Sequence, residues 1–285
     1  RGTPGCSGAD LRNLLNEAAL SAARKGRTSV TAQDAVEATD KIRFGSARPS
    51  LEIDEEDRRR TAYHEAGHAV VGLVASHADP VEKVTIIPRG MSLGATHFLP
   101  KKNRLNYWKQ ELIDQIAVCM GGRVAEEIFV GDISSGAQQD IIQATHIARS
   151  MVCQWGMSEL GAIAYGEKNE GGQYLGLASA TEKNYSDQTA DKIDEEVKKY
   201  VDAGLKRARE ICEEKRAEIE LMTERLMQFE TLYAGDLNRI METGELPEDE
   251  VRSRLAKEQE RFRKSPPPPP QELGSSDGPT PEPSA

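Results

Sequence analysis

Two histidines and a glutamate in one short segment have residue types and a spacing that suit metal-dependent hydrolysis. The segment reads Tyr63-His64-Glu65-Ala66-Gly67-His68. In a helix, His64 and His68 stand one turn apart on one face, with Glu65 offset beside them. Two such imidazoles can bind one Zn2+, and the intervening glutamate can accept a proton from the water on that metal. This HExxH pattern predicts a zinc hydrolase with His64 and His68 as ligands and Glu65 as general base.

The alternative interpretation is structural, with two partly buried, hydrogen-bonded histidines on an ordinary helix. A catalytic zinc usually has three protein ligands and a fourth position for water, so the catalytic interpretation needs a third ligand. The candidates are the other histidines and acidic residues in helical segments, namely His77, His97, His146, Glu126, Glu127 and Asp140. His146 lies about 240° around one helix from Asp140, so the two cannot face one metal together. Position alone leaves Glu126, Glu127 and Asp140 undecided.

The metal motif requires a buried helix, and the sequence provides an apolar stripe for one. The helix is predicted from near Asp57 to about Ser76, with apolar positions at Ala62, Ala66, Ala69, Val70, Leu73 and Val74. Two β-branched and apolar runs follow, 81–87 and 93–99, each stopped by proline or glycine, and these predict two short strands. A strand edge near the metal would pair with an extended substrate backbone. A hairpin that only covers the core is the alternative.

Helical periodicity dominates most of the remaining chain. We predict a helix over 106–120 that breaks or bends at Gly121-Gly122-Arg123, and a helix over 137–155 that carries Asp140 near its start. Ser186 is expected to cap one long helix over 187–229. The predicted fold class is therefore mainly α, a helical domain with a small β-sheet or hairpin near the zinc site.

The first 42 residues are predicted to form a small unit of two helices. Ser7 can cap the first helix, and Thr31 opens the second, with Asp34 in a near capping box. The buried side of the second helix is predicted to be Ala35, Val36 and Ala38. Two helices this short bury little surface alone, so we expect them to be the lid of a larger domain.

Several segments resemble, in order, the peptidase domain of the FtsH family of ATP-dependent zinc proteases. They are His64–Ala69, Ile86–Gly90, Leu93–Gly94, Gly121–Glu127, Ser135–Asp140, Ala144–Thr145, Ala148–Val152 and Trp155–Ser158. The resemblance continues to about residue 240 and implies a zinc endopeptidase with one Zn2+ per chain. It also implies that Asp140, in the Gly-Ala-x-x-Asp segment, is the third ligand. Glu126 would then orient a ligand imidazole by accepting its other N–H.

The start of the chain resembles the C-terminal helical lid of the AAA ATPase in that family. The segments that carry this resemblance are Thr3–Leu11 and Asn13–Leu20. The family keeps its Gly-Ala segment near the bound adenine, which implicates Gly8 and Ala9. No GxxxxGK[ST] motif occurs in the sequence, so we expect ATP to act only through an ATPase domain upstream of this chain.

These features predict four regions. Residues 1–42 form the truncated lid, 43–56 a linker, 57–245 the zinc peptidase domain, and 246–285 a charged segment with a Pro-rich tail that is disordered after about residue 264. A Gly-rich mobile loop is expected at 161–177.

Composition limits the partners and the compartment. The net charge of -10 argues against a general nucleic-acid binder. The four cysteines are far apart, without a CxxC pair, and are expected to be free thiols. No apolar run approaches the length that a bilayer requires. The chain starts with Arg1, so we expect a larger protein cut upstream.

The leading functional hypothesis is the proteolytic part of a membrane-anchored AAA protease. The family resemblance implies a homohexamer in the bacterial inner membrane with this part facing the cytoplasm, polypeptide substrates, and transmembrane helices in the missing N-terminal part. The rival hypothesis is a non-catalytic helical module that assembles a hexamer and in which zinc is structural or absent. Glu65 separates the two hypotheses, because a structural metal site does not need a general base.

Overall fold

The computed structural model describes residues 5–48, 53–90, 92–99, 106–166 and 185–253. Helices of this part of the chain are α1 (Gly8–Arg24), α2 (Ala32–Phe44), α3 (Glu55–Val74), α4 (Lys109–Ala125), α5 (Gln138–Cys153), α6 (Asp187–Glu214), α7 (Arg216–Phe229) and α8 (Ala234–Thr243). A π-helical turn covers Glu126–Val130, and a 3-10 turn covers Ser135–Ala137. The strands are β1 (Val81–Thr85), β2 (Ala95–Phe98) and β3 (Thr231–Tyr233). The predicted mainly α fold with a small sheet is confirmed.

Helices α1 and α2 pack against each other as a small unit. Both helices begin with a capping box, in which Ser7 pairs with Asp10 and Thr31 pairs with Asp34. Their buried apolar cluster consists of Leu14, Ala18 and Ala38. Val36 was predicted to be buried, but it is 39% exposed. Two short helices share one narrow apolar stripe, so side chains just outside that stripe remain at the surface.

The three strands form an antiparallel sheet in the order β2-β1-β3, so β2 is an edge strand. Strands β1 and β2 correspond to the two predicted apolar runs. Strand β3 was not predicted, because three residues are too few to show the alternation that marks a strand. It pairs Leu232 with Val84 and so brings a distant part of the chain against the first hairpin.

The helical unit of α1 and α2 contacts this sheet through buried charges and backbone pairing. The Lys83 ammonium on β1 lies 2.7 and 2.8 Å from the two carboxylate oxygens of Asp40 on α2. After α2, Ala47 forms an antiparallel bridge with Arg89. The Gly90 N–H donates to the Ser46 carbonyl oxygen at 3.2 Å.

Helix α3 lies in the main core and packs closely on α4 through glycines. It starts two residues before the predicted Asp57. A Cβ on Gly67 would lie 2.4 Å from the Gly121 carbonyl oxygen, and a Cβ on Gly121 would lie 2.7 Å from the Gly67 carbonyl oxygen. Of the break or bend predicted at Gly121 and Gly122, the break is wrong, because α4 continues through both residues. These glycines allow two helix backbones to approach, and that need outweighs the low helix propensity of glycine.

The predicted long helix over 187–229 is divided in two at Lys215, whose φ of -105° and ψ of 33° interrupt the helical conformation. The cap at Ser186 is confirmed, since its side chain accepts from the Thr189 N–H. Most of the loop predicted at 161–177 and the whole tail after residue 264 lie outside the described residues. Among the described helices, none combines the length and apolar character that a bilayer crossing requires.

Candidate metal centre

The two motif histidines face each other on α3. The Nε2 atoms of His64 and His68 are 3.0 Å apart, and the ring planes meet at 79°. This arrangement follows from the spacing of four residues, which places both side chains on one helix face. The two nitrogen atoms can therefore approach a single metal ion.

Asp140 completes a three-residue cluster from another helix. Its Oδ2 atom lies 3.3 Å from His64 Nε2 and 3.5 Å from His68 Nε2. Asp140 occupies the first turn of α5, where the helix dipole favours a negative charge. In a tetrahedral zinc site with bonds of 2.0–2.1 Å, neighbouring ligand atoms are about 3.3 Å apart. The observed separations fit that spacing.

Hydrogen bonds to the opposite ring nitrogens fix the direction of both imidazoles. His64 Nδ1 lies 2.7 Å from Glu126 Oε1, and His68 Nδ1 lies 2.7 Å from the Val118 carbonyl oxygen. A carbonyl oxygen only accepts, so Nδ1 of His68 carries the proton and donates. The Nδ1 hydrogen bonds turn the Nε2 atom of each ring towards the cluster, as in histidines that ligate metals.

Glu126 is itself held in place by a neighbouring loop. The Ser134 N–H donates to Glu126 Oε2 at 2.7 Å, and the Ser134 hydroxyl lies 3.0 Å from Oε1. Burial would raise the pKa of Glu126, but hydrogen bonds from His64 and Ser134 lower it below its usual value. Glu127 points elsewhere and pairs with Arg209 on α6 at 2.7 Å. Of the two adjacent glutamates, only Glu126 reaches the cluster.

When no metal is bound, the neighbouring groups favour an additional proton on His64. Burial alone would lower the pKa of His64, but its hydrogen bonds to Asp140 and Glu126 raise that pKa to about 10. Burial opposes ionisation of Asp140, yet hydrogen bonds from His64 and His68 hold the pKa of Asp140 well below its usual range. A divalent metal would replace this proton and compensate the same carboxylates.

Glu65 faces a cavity of about 790 Å³ that also contains the three clustered residues. The Glu65 side chain is only 6% exposed. Residues 92–96, which lead into and begin the edge strand β2, form one wall of this cavity, and residues 134–136 form another. The edge strand therefore lies beside the cluster, as the sequence predicted. Its role in pairing with a substrate remains a prediction.

The other histidines and cysteines do not join the cluster. His77 pairs with Asp114 at 3.0 Å, and His97 packs on the Phe44 ring with centroids 4.0 Å apart. His146 is exposed. Cys119 lines the cavity, but burial and the Asp140 charge raise the pKa of its thiol to about 12. The thiol therefore stays protonated in the metal-free chain, and Cys119 is not part of the three-residue cluster.

Sequence reasoning missed several residues that shape this site. These residues are Val118, Ser134 and Gly122. Each shapes the site through hydrogen bonds or close packing, and no spacing of residues in the sequence indicates such contacts. A Cβ on Gly122, for example, would lie 2.6 Å from Nε2 of both His64 and His68. The adjacent glycines in the sequence were the only signal of such close packing.

Comparisons with known proteins identify the family to which the chain is similar. The family model described as Peptidase family M41 matches residues 51–240, and the model of the AAA+ lid domain matches residues 1–37. An ATP-dependent zinc metalloprotease FtsH from Protochlamydia amoebophila is 63% identical over 242 residues, which is 85% of this chain and 26% of that protein. The protein of the same name from Chlamydia trachomatis is 57% identical over 277 residues, 95% of this chain and 30% of that protein.

A more distant relative of the same name, from Bacillus subtilis, is 47% identical over 247 residues, 86% of this chain and 39% of that protein. The chain thus spans between about a quarter and two fifths of the length of these relatives. The remaining length of the relatives has no counterpart in the 285 residues.

Proposed function

Because this chain belongs to peptidase family M41, we propose that it is the proteolytic part of an ATP-dependent zinc endopeptidase. The observation that carries the proposal is the convergence of His64 Nε2, His68 Nε2 and Asp140 Oδ2, which lie 3.0–3.5 Å from one another. Both imidazoles are already oriented by hydrogen bonds at Nδ1.

His64, His68 and Asp140 would hold one Zn2+ per chain, and Glu126 would keep the His64 ring in place. When bound, zinc supplies a water that is acidic near neutral pH and a positive charge that polarises the scissile carbonyl group. The Glu65 carboxylate accepts the proton of the attacking water and later delivers it to the leaving amine. Glu65 follows His64 directly in α3 and lines the same cavity as the three ligand residues, which supports this role.

The substrates are proposed to be unfolded or membrane polypeptides bound as extended strands along β2. Backbone pairing gives affinity with little dependence on side chains, which suits a protease of broad specificity. The relatives carry ATP dependence in their names. We propose that an ATPase upstream of this chain delivers substrate, that the complete protein is a membrane-anchored homohexamer in bacteria, and that the 285-residue part faces the cytoplasm.

Glu65→Gln tests the catalytic role directly. We expect E65Q to keep one zinc per chain and to lose cleavage of a fluorogenic peptide by about 10²-fold or more, because the proton acceptor is gone. His64→Ala, His68→Ala and Asp140→Ala should lose zinc as well as activity. His146→Ala is the matched control, since His146 is an exposed histidine on the same helix as Asp140.

Two results would contradict the proposal. One is appreciable cleavage by E65Q at full zinc occupancy. The other is a chain that unfolds when a chelator removes zinc and that shows no cleavage when loaded, which would favour the structural hexamerisation module instead. The catalytic assignment requires that chelation stops cleavage while far-UV circular dichroism shows most of the helix content unchanged.

A further inference from the structure

The side chain of Glu65 is contacted by the edge strand of the sheet. The Thr96 hydroxyl on β2 lies 2.8 Å from Glu65 Oε2 and 3.1 Å from the backbone oxygen of Glu65. A hydroxyl donates only one proton, and a carboxylate oxygen is a stronger acceptor than a peptide oxygen. The geometry therefore favours a hydrogen bond from the Thr96 hydroxyl to the Glu65 carboxylate over one to the Glu65 backbone oxygen.

Gly94 lies close to the same side chain and leaves room for it. A Cβ on Gly94 would lie 2.8 Å from Glu65 Cγ and 2.9 Å from Oε1. The last torsion of a glutamate side chain is broad and roughly two-fold, so surrounding contacts decide the plane of the carboxylate. The Thr96 hydroxyl is therefore a hydrogen-bond donor that can set the plane of this buried carboxylate, and the missing side chain at position 94 leaves room for it.

We propose that Thr96 is a positioning residue whose hydroxyl holds the Glu65 carboxylate in the orientation that receives the proton of the attacking water. The inference rests on the proposed peptidase function, because it concerns proton transfer by Glu65. Thr96 acts through Glu65 and does not itself take part in bond making. General-base efficiency depends first on geometry, so loss of this bond reduces turnover more than substrate binding.

Two substitutions, Thr96→Val and Thr96→Ser, distinguish the effect of the hydroxyl group on turnover from the effect of side-chain shape. In the zinc-loaded chain, we expect T96V to lower kcat for peptide cleavage by about 10- to 100-fold, part of the effect of general acid–base catalysis. KM and zinc content should not change. T96S keeps the hydroxyl and should recover most of the lost kcat. Equal kcat in T96V and wild type, or no recovery in T96S, overturns the proposal.

Thr223→Val is the matched control for removal of a buried threonine hydroxyl. Thr223 is 1% exposed, and its Oγ1 has no hydrogen-bond partner among the described residues. T223V should therefore leave kcat unchanged. A kcat loss in T223V equal to that in T96V would show that any buried Thr→Val change impairs turnover and would overturn the specific role of Thr96.

Thermal unfolding of the metal-free chain provides a readout that does not need activity. We expect T96V to lower Tm by about 2–4 °C in the wild-type background, as expected for one hydrogen bond in a domain of this size. In the Glu65→Ala background only the backbone oxygen of residue 65 remains as a partner, so T96V should have a smaller effect. An equal shift in both backgrounds would mean that Thr96 bonds only to the backbone oxygen, which overturns the proposal.

Measuring E65Q together with T96V shows which proposal is wrong, the peptidase function or the positioning role of Thr96. Retention of cleavage by E65Q removes the proposed function and with it the role of Thr96 in turnover. An inactive E65Q together with a fully active T96V removes only the positioning role.

Discussion

A methyl group on Gly122 would lie 2.6 Å from Nε2 of His64, although the two residues belong to different helices. The same Cβ would lie 2.6 Å from Nε2 of His68. Helix α4 therefore has no side chain where the two imidazoles converge, and the space belongs to the metal ligands.

We predict that Gly122→Ala weakens zinc binding without unfolding the chain. The added methyl group would meet only the ends of two side chains, which can shift slightly when no metal is bound, whereas bound zinc would require both Nε2 atoms to stay in place. A steric cost of about 1–3 kcal/mol corresponds to roughly 5- to 150-fold weaker binding. Competition against a chromophoric chelator measures the affinity. Gly235→Ala is the control, since a Cβ there meets open space on α8.

Gly121→Ala should have the opposite pattern, a loss of stability that does not depend on zinc. Its Cβ would lie 2.7 Å from the Gly67 carbonyl oxygen and 3.1 Å from the His68 backbone nitrogen. Backbone atoms cannot move aside as side chains do, so α3 and α4 must separate, at a cost of at least about 1–3 kcal/mol. Denaturant unfolding of the metal-free chain checks this. A G121A protein as stable as wild type would show that the two helices are not locked at this contact.

Glu126→Gln should weaken zinc binding by about 10- to 100-fold, the usual effect of removing a partner that orients a ligand. Glutamine keeps the shape but not the negative charge that pairs with the His64 Nδ1–H and the Ser134 N–H. Glu127→Gln is the matched control, because Glu127 is the next residue and pairs with Arg209 instead. Equal zinc affinity in E126Q and E127Q would contradict the role of Glu126.

His97 should make the stability of the chain fall in mildly acidic solution. Burial and the positive charge of Lys83 lower the pKa of His97 to about 4. Charged groups of α2, β1 and the segment after β1 surround it, namely Asp40, Arg43, Lys83 and Arg89. The folded chain therefore keeps His97 neutral at pH 5, while the unfolded chain binds a proton below about pH 6.5.

The sign of this effect follows from the depressed pKa. Stability from neutral His97 is complete above about pH 6.5 and is lost as the pH falls towards 4, by about 2 kcal/mol at pH 5. Denaturant unfolding of the wild type and His97→Gln at pH 7 and pH 5 measures it. H97Q should lose less stability than the wild type over this interval. Parallel losses would show that other groups cause the acid sensitivity.

The sequence by itself determined the features that depend only on residues within one or two helical turns of each other. The spacing of His64 and His68 was sufficient to place both imidazoles on one face, because the helix repeat fixes that geometry. The caps at Ser7, Thr31 and Ser186 were equally predictable, since a cap depends on residues three or four positions away. Resemblance to a known family, rather than spacing, singled out Asp140.

Only the tertiary structure decided the contacts between segments that are distant in the chain. The pair Gly121 and Gly122 reads as a helix breaker in isolation, but the backbone of α3 occupies the space beside Gly121, and the His64 and His68 rings occupy the space beside Gly122. Strand β3 exists because β1 offers it backbone partners, although its three residues carry no pattern of their own. Thr96 likewise reaches Glu65 only because the sheet is folded against α3. Periodicity encodes which face of an element is buried, whereas the partner on that face depends on how all the elements pack together.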